Sequence, residues 1–235
     1  MKILALESSA KACSVCLTED ELLIAESYEN SGLTHSVTLL PMAQELLSRC
    51  GVALQAVDII AVAAGPGSFT GLRIGVSAAK GLGWALDRPC AKVSTLEAMA
   101  WNAAAVPGLL CPAMDARRSQ VYNALFTSDG ESLTRLTEDR AIGLEELAAE
   151  LEKQELPPLV LGDGGALCRD YLAGRGMKAR LAPENLRHQH PWGVARAALD
   201  LARNGQLISA GELVPDYHRL SQAERERLER ESRAN

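Results

Sequence analysis

Gly65-Pro66-Gly67-Ser68-Phe69-Thr70-Gly71-Leu72-Arg73-Ile74-Gly75 runs on through Lys80, Gly81 and Gly83 to Leu86, a glycine turn opening a helix that keeps glycine where helices avoid it. From Gly71 the small residues recur at every fourth position, Gly71, Gly75, Ala79 and Gly83. At 3.6 residues per turn they form one ridge almost without side chains. Each interior glycine costs about 1 kcal/mol against alanine, so close backbone contact must offset the ridge. A Walker A loop is excluded because Leu72 and Arg73 follow Gly71 in place of lysine and a hydroxyl. A dinucleotide fingerprint fails at Thr70, which stands where its third glycine would be. Pro66, Arg73 and Lys80 break any apolar run of the roughly 20 residues a membrane helix needs. The ridge is expected to mate with another helix, the alternative being that the helix lies tightly on its own sheet.

Working outward, alternating apolar residues predict strands over 2–8, 12–18 and 21–28, in the manner of a β-meander. Thr34 or Ser36 caps a helix whose apolar face runs through Leu39, Leu40, Ala43, Leu46 and Leu47 to a stop at Gly51. A buried strand over 58–64, the glycine helix, a strand at 91–93 and a helix from Ser94 or Thr95 complete the order β-β-β-α-β-α-β-α. After Pro107-Gly108 a looser version repeats: strands near 109–115, 119–127 and 131–137, a helix over 143–153, a strand at 159–162, a helix over 164–173, a strand near 177–181 and a helix from about 191 to 204. The chain reads as a duplicated α/β unit, with lobes at 1–106 and 107–220. The tail, 221–235, pairs Glu226 with Arg230 and Glu229 with Arg233 at i,i+4 and reads as a solvated helix or a frayed end.

Composition bounds the function. The 235 residues are 47% apolar and 23% charged, ordinary for a globular protein, and only 4% aromatic, which disfavours base-stacking surfaces. Net charge is -6, and residues 1–100 hold seven Lys and Arg against ten Asp and Glu, so no basic half exists to neutralise phosphates. Glu7 interrupts the first apolar run before a signal peptide could form, which points to the cytoplasm and away from membranes. Cys13, Cys16, Cys50, Cys90, Cys111 and Cys168 lack framework spacing and read as reduced thiols.

The segment 65–75 resembles the signature of the TsaB family, formerly YeaZ, of bacterial tRNA threonylcarbamoyladenosine biosynthesis proteins. Thr34-His35-Ser36 leading to Leu40-Pro41, the strand-turn-strand 4–17, Asp115-Ala116-Arg117, and 219–224 resemble further landmarks of that family in order, so the likeness covers essentially the whole chain. It implies an actin-like fold, that of the sugar kinase, Hsp70 and actin superfamily, with two RNase H-like lobes. It further implies a non-catalytic subunit that partners the threonylcarbamoyltransferase TsaD and the ATPase TsaE, meets tRNA only through the complex, and docks on TsaD or on a second copy of itself by the helices near 35–50 and 68–86. His35, Leu39, Met42, Ala43, Leu46, Arg73, Gly71, Gly75 and Ala79 are then the expected partner-binding residues. No cofactor of its own is expected, with ATP or ADP left open at the junction of subunits.

The same resemblance bears on chemistry. In the catalytic relative the strand after the glycine helix leads into H-x-x-x-H, whereas this chain has Thr95 and Met99 at those positions, poor ligands for a hard metal or zinc. No metal site is expected. Glu7, Ser8 and Ser9 stand where actin-like ATPases hold phosphate, with Asp115 in the matching turn of the second lobe, and Glu7-Ser8-Ser9 departs from the commoner Asp-Thr-Ser, so the four form a degenerate nucleotide site at most. Cys13-x-x-Cys16 lies in a strand that sends the two thiols to opposite faces, and His188 and His190 have no third ligand near them. Two rival functions remain at this level, an independent actin-like ATPase or kinase and a metallopeptidase.

Overall fold

A computed structural model of the chain describes residues 1–218. The expected ion-paired tail lies outside them. The order is β1 (Lys2–Glu7), β2 (Cys13–Glu19), β3 (Leu22–Glu29), α1 (His35–Arg49), β4 (Ile59–Gly65), α2 (Phe69–Leu86), β5 (Cys90–Ser94), α3 (Thr95–Asn102), β6 (Gly108–Arg117), β7 (Gln120–Asn123), β8 (Phe126–Ser128), β9 (Leu133–Arg135), β10 (Arg140–Gly143), α4 (Leu144–Leu151), β11 (Leu159–Leu161), α5 (Gly165–Gly174), β12 (Arg180–Leu181), α6 (Glu184–Arg187) and α7 (Pro191–Arg203).

The first sheet has the order β3-β2-β1-β4-β5, antiparallel through β1 and parallel beyond it. The second repeats it as β10-β7-β6-β11-β12, with β8 and β9 added beside β6. The duplication read from the pattern is therefore present strand for strand. Strand β1 is buried on both faces because helices cover both. Leu4 and Leu6 pack under α1 and α2, and Ile3 and Ala5 pack under α7. Parallel strands with both faces covered read as unbroken apolar runs, which is why 59–64 shows no alternation.

Two strands more are present than the spacing predicts, one of them β10, which lies between the expected strand near 131–137 and the expected helix over 143–153. The run expected as a single strand at 119–127 is two, because β6 pairs with β8 along its first half and β7 along its second. The break falls at Ala124-Leu125. There the buried Asn123 amide donates to Pro112 O at 2.9 Å and Thr137 Oγ1 accepts from Leu125 N at 2.8 Å, replacing ladder bonds.

The lobes are not divided at residue 106. Helix α3 presents Ala98 and Trp101 to the core beneath α7 and Leu96 and Met99 to the inner face of the second sheet, so both lobes share it. Helix α7, which falls in the segment 107–220 by sequence, returns to cover the first sheet. Its first turn lies so near α3 that a Cβ on Gly193 would stand 1.9 Å from Ala98 O. Asn102 caps the junction, accepting from Gly193 N at 2.8 Å and donating to His190 O at 3.2 Å.

Candidate functional site

The turn after β1 is closed. Glu7, Ser8 and Ser9 are all fully buried, and the glycine turn preceding α2 lies directly on them. Ser8 Oγ donates to Gly71 O at 2.9 Å, and Ser68 N donates to Ser9 O at 2.6 Å. Burial pushes the Glu7 carboxyl up to about 7 against the hydrogen bonds of Ser9 and Ser8, of which Ser9 N reaches Oε1 at 2.6 Å. Glu7 Oε2 and Ser9 Oγ have no hydrogen-bond partner among the described residues. In the second lobe Asp115 is exposed and accepts from Arg117 N at 2.6 Å, in a turn where Arg117, Arg118 and Ser119 all hold positive φ of 56–63°. Beside it burial pushes the Asp163 carboxyl up, and the Asp115 charge adds to the effect. Thus Asp115 alone of the four expected nucleotide-site residues reaches solvent.

The glycine ridge faces inward, which corrects the expectation for Gly71, Gly75 and Ala79. All three are buried. A Cβ on Gly71 would stand 2.1 Å from Ser8 O, and one on Gly75 would stand 2.4 Å from Ser8 Oγ. Further along, Gly83 lies against Cys90 Sγ, and Ala79 is part of the first core. The close contact that offsets the glycines is between helix and own sheet. Leu39, Ala43 and Leu46 are corrected for the same reason: Leu39 is 1% exposed, and all three pack in that core with half-buried Met42 against them.

What α1 and α2 present outward is a second set of residues. Val37 is 67% exposed, Leu40 47% and Trp84 65%. Between the helices runs a groove of about 450 Å³ lined by His35, Leu39, Leu40, Arg73, Ile74 and Ala78. Of the expected residues, His35 and Arg73 lie on it, and buried Leu39 forms part of its floor. His35 Nε2 hydrogen-bonds Ala10 O at 2.8 Å and ties the start of α1 to the buried turn, while Thr34 occupies the cap position without a side-chain bond. The signal missed in the sequence is the width of the apolar arc on α1. Val37 lies outside the expected apolar face, and Leu40, expected on it, is exposed instead, so the helix is apolar beyond one stripe and has more than one face to cover.

The remaining candidates are structural. Thr95 and Met99 are buried, with Met99 against Gly162, and no cluster of three metal-ligating side chains occurs among the described residues. Cys13 and Cys16 lie in the cores on opposite faces of the first sheet. His188 pairs with Glu184 at 3.0 Å, and His190 stacks on Tyr28 at 4.4 Å. At the lobe boundary a cavity of about 460 Å³ includes Ser94, Glu97, Arg135 and Asp139 in its lining. There Arg135 donates to Glu97 at 2.8 Å and to Asp139 at 2.6 Å, and Asp139 accepts from Ser94 Oγ at 2.5 Å. One guanidinium thus holds two carboxylates and ties α3 to the second lobe.

Two sheets of order 3-2-1-4-5, joined through a shared helix, have the actin-like fold, that of the sugar kinases, Hsp70 and actin. Consistent with that fold, the ethanolamine utilization protein EutJ from Carboxydothermus hydrogenoformans superposes with a TM-score of 0.50 at 12% identity, over 83% of this chain and 90% of that one. Residues 29–174, from the end of β3 through α5, match the family of TsaD, the tRNA N6-adenosine threonylcarbamoyltransferase. The chain is 35% identical to the tRNA threonylcarbamoyladenosine biosynthesis protein TsaB of Bacillus subtilis (strain 168), over 97% of this chain and 99% of the relative. A crystal structure from Pseudomonas aeruginosa, described as similar to the peptidase YeaZ, superposes with a TM-score of 0.81 at 30% identity, over 93% of this chain and 99% of that one. The chain belongs to the TsaB (YeaZ) family of tRNA threonylcarbamoyladenosine biosynthesis proteins.

Proposed function

We propose that this chain is the non-catalytic subunit of the tRNA threonylcarbamoyladenosine complex, docking on the transferase TsaD through the outer face of α1 and α2. The observation that carries the reading is the exposed apolar pair Val37 and Leu40 on α1, with Leu40 lining the α1–α2 groove. That pair lies within the region matching the transferase family, so the partner carries a related pair of helices. Two related helix pairs can meet about a pseudo-two-fold axis, each covering the other's apolar face. A second copy of this chain offers the same face, so a homodimer competes with the complex. The buried turn at Glu7, Ser8 and Ser9 favours this reading over an independent ATPase or kinase, whose phosphate loop must be open. Thr95 and Met99 favour it over a metallopeptidase. On this reading any ATP or ADP is held at the junction with TsaD or by TsaE, tRNA meets the complex mainly on the partners, and the complex works in the cytoplasm.

Leu40→Asp places a charge on the exposed wall of the groove. It is expected to weaken association with TsaD by at least about 30-fold, the effect of losing an interface hot spot of ~2 kcal/mol. Sedimentation velocity of the purified chain mixed with TsaD reads the result. A variant that associates as the wild type does, or a wild type that does not associate at all, overturns the docking reading.

A further inference from the structure

Beyond Ile208 the described chain runs as a strap along α2. Ile208 bridges to Cys90 at the free edge of β5, Lys80 donates to Gly211 O and Leu213 O at 2.9 and 3.3 Å, and Leu213 is buried in the first core. Asp216 N then donates to Ala64 O at 2.7 Å, and the strap crosses Gly65 so closely that a Cβ there would meet Asp216 O at 2.2 Å. The strap delivers Tyr217 to the first turn of α2. Its ring stacks on Phe69 with centroids 4.7 Å apart, and its hydroxyl accepts from Arg73 Nε at 3.0 Å. The Arg73 guanidinium carbon lies 4.0 Å from the centre of the Phe69 ring.

Two aromatic rings thus hold one guanidinium on the groove. A long surface arginine normally gives up ~2 kcal/mol of rotamer entropy when it is fixed, and here much of that ordering precedes binding. Both Nη groups are without a hydrogen-bond acceptor among the described residues. The neighbouring groove wall is mainly apolar, with Leu40, Ile74 and Ala78 beside Ser36 and Ser77, so an ion pair covered there by a partner is less screened than one in open solvent.

We infer that the strap is a positioning element for the docking face: Tyr217 fixes Arg73 so that its Nη edge takes a carboxylate of the partner beside the apolar plug that fills the groove. This inference rests on the docking reading and names the polar contact that gives the face its register. A planar fork that accepts a carboxylate in bidentate fashion is not replaced by lysine.

The test uses the full chain and TsaD, with titration calorimetry at low and high salt. Arg73→Ala and Arg73→Lys are both expected to weaken binding about tenfold or more and to flatten its salt dependence, as loss of a charge-assisted pair requires. Tyr217→Ala is expected to weaken it about fivefold, and Tyr217→Phe, which keeps the stack, by less. The double variant Arg73→Ala/Tyr217→Ala should bind no worse than Arg73→Ala alone, because Tyr217 acts only through Arg73. Thermal melts show whether each variant is folded. If Tyr217→Ala is folded and binds as the wild type does, or if the two losses multiply, the positioning role is wrong while docking stands. If the wild type does not bind TsaD, the docking reading falls and this inference falls with it.

Discussion

Gly71→Ala is expected to destabilise the chain by about 3 kcal/mol, while Gly81→Ala, further along the same helix, is expected to stabilise it by about 0.5–1 kcal/mol. Both replacements gain the same helix propensity, so the difference isolates what each glycine touches. At Gly71 the added methyl meets the Ser8 carbonyl oxygen at 2.1 Å, and a backbone atom of the sheet cannot turn aside as a side chain can. Either α2 lifts from β1, breaking the Ser8–Gly71 and Ser9–Ser68 hydrogen bonds, or the turn at residues 7–9 moves into the core. At Gly81 the residue is exposed and nothing lies within 4 Å of the added carbon, so only the entropy of the unfolded chain changes. Urea unfolding measures both, with a common slope confirming that the same surface is exposed. A Gly71→Ala midpoint within error of the wild type would refute the inward orientation of the ridge. Gly75→Leu should behave like Gly71→Ala, losing the monomer rather than the interface.

The second large effect is electrostatic. Glu7 is buried with its carboxyl raised from an ordinary 4.5 to about 7, desolvation being the main cause. In the window between those values the folded state holds a proton that the unfolded state has released. Stability therefore falls as pH rises from about 4.5 to 7, and the full shift corresponds to about 3 kcal/mol. Above pH 7 the folded chain holds a buried carboxylate whose Oε2 has no hydrogen-bond partner among the described residues. Glu7→Gln keeps the shape and removes the titration. Its unfolding free energy should exceed that of the wild type by roughly 2–3 kcal/mol at pH 8 and differ little at pH 5. Parallel pH–stability curves for the two proteins would show that Glu7 is not the titrating group.

Element order was legible because it depends on patterns the chain carries locally. A buried run between turn residues marks β4, Ser94 with Glu97 marks the start of α3, where Ser94 Oγ accepts from Glu97 N at 3.1 Å, and Pro191 marks the first turn of α7. The face of α2 was not legible. A row of small residues states that something approaches closely, and the row is the same whether that something is β1 or another subunit. Only the register of α2 on Ser8 decides it. On α1 the polarity pattern pointed to Leu39, Ala43 and Leu46 as contact residues without saying that the contact is internal. Of the surface that remains, Val37 was visible only as a surplus apolar residue, and Leu40 reads in the sequence as part of the apolar face that it in fact leaves. Tyr217 could not be paired with Arg73 from sequence, because the strap that joins them is ordered by long-range contacts with Cys90, Ala64 and Lys80.

The return of α7 to the first sheet sets the order in which the molecule can be completed. As the chain leaves the ribosome, residues 1–106 can form β1 to β5 and lay α1 and α2 on one face. The other face, with Ile3, Ala5, Ile59 and Val93, stays open until 191–203 have been made. The part translated first is thus the part closed last, and a fragment ending near residue 106 carries an uncovered apolar sheet that invites aggregation. Evolution can lengthen the loops of either lobe, yet it cannot detach the lobes as separate cassettes, since each needs helices encoded within the other's stretch of chain.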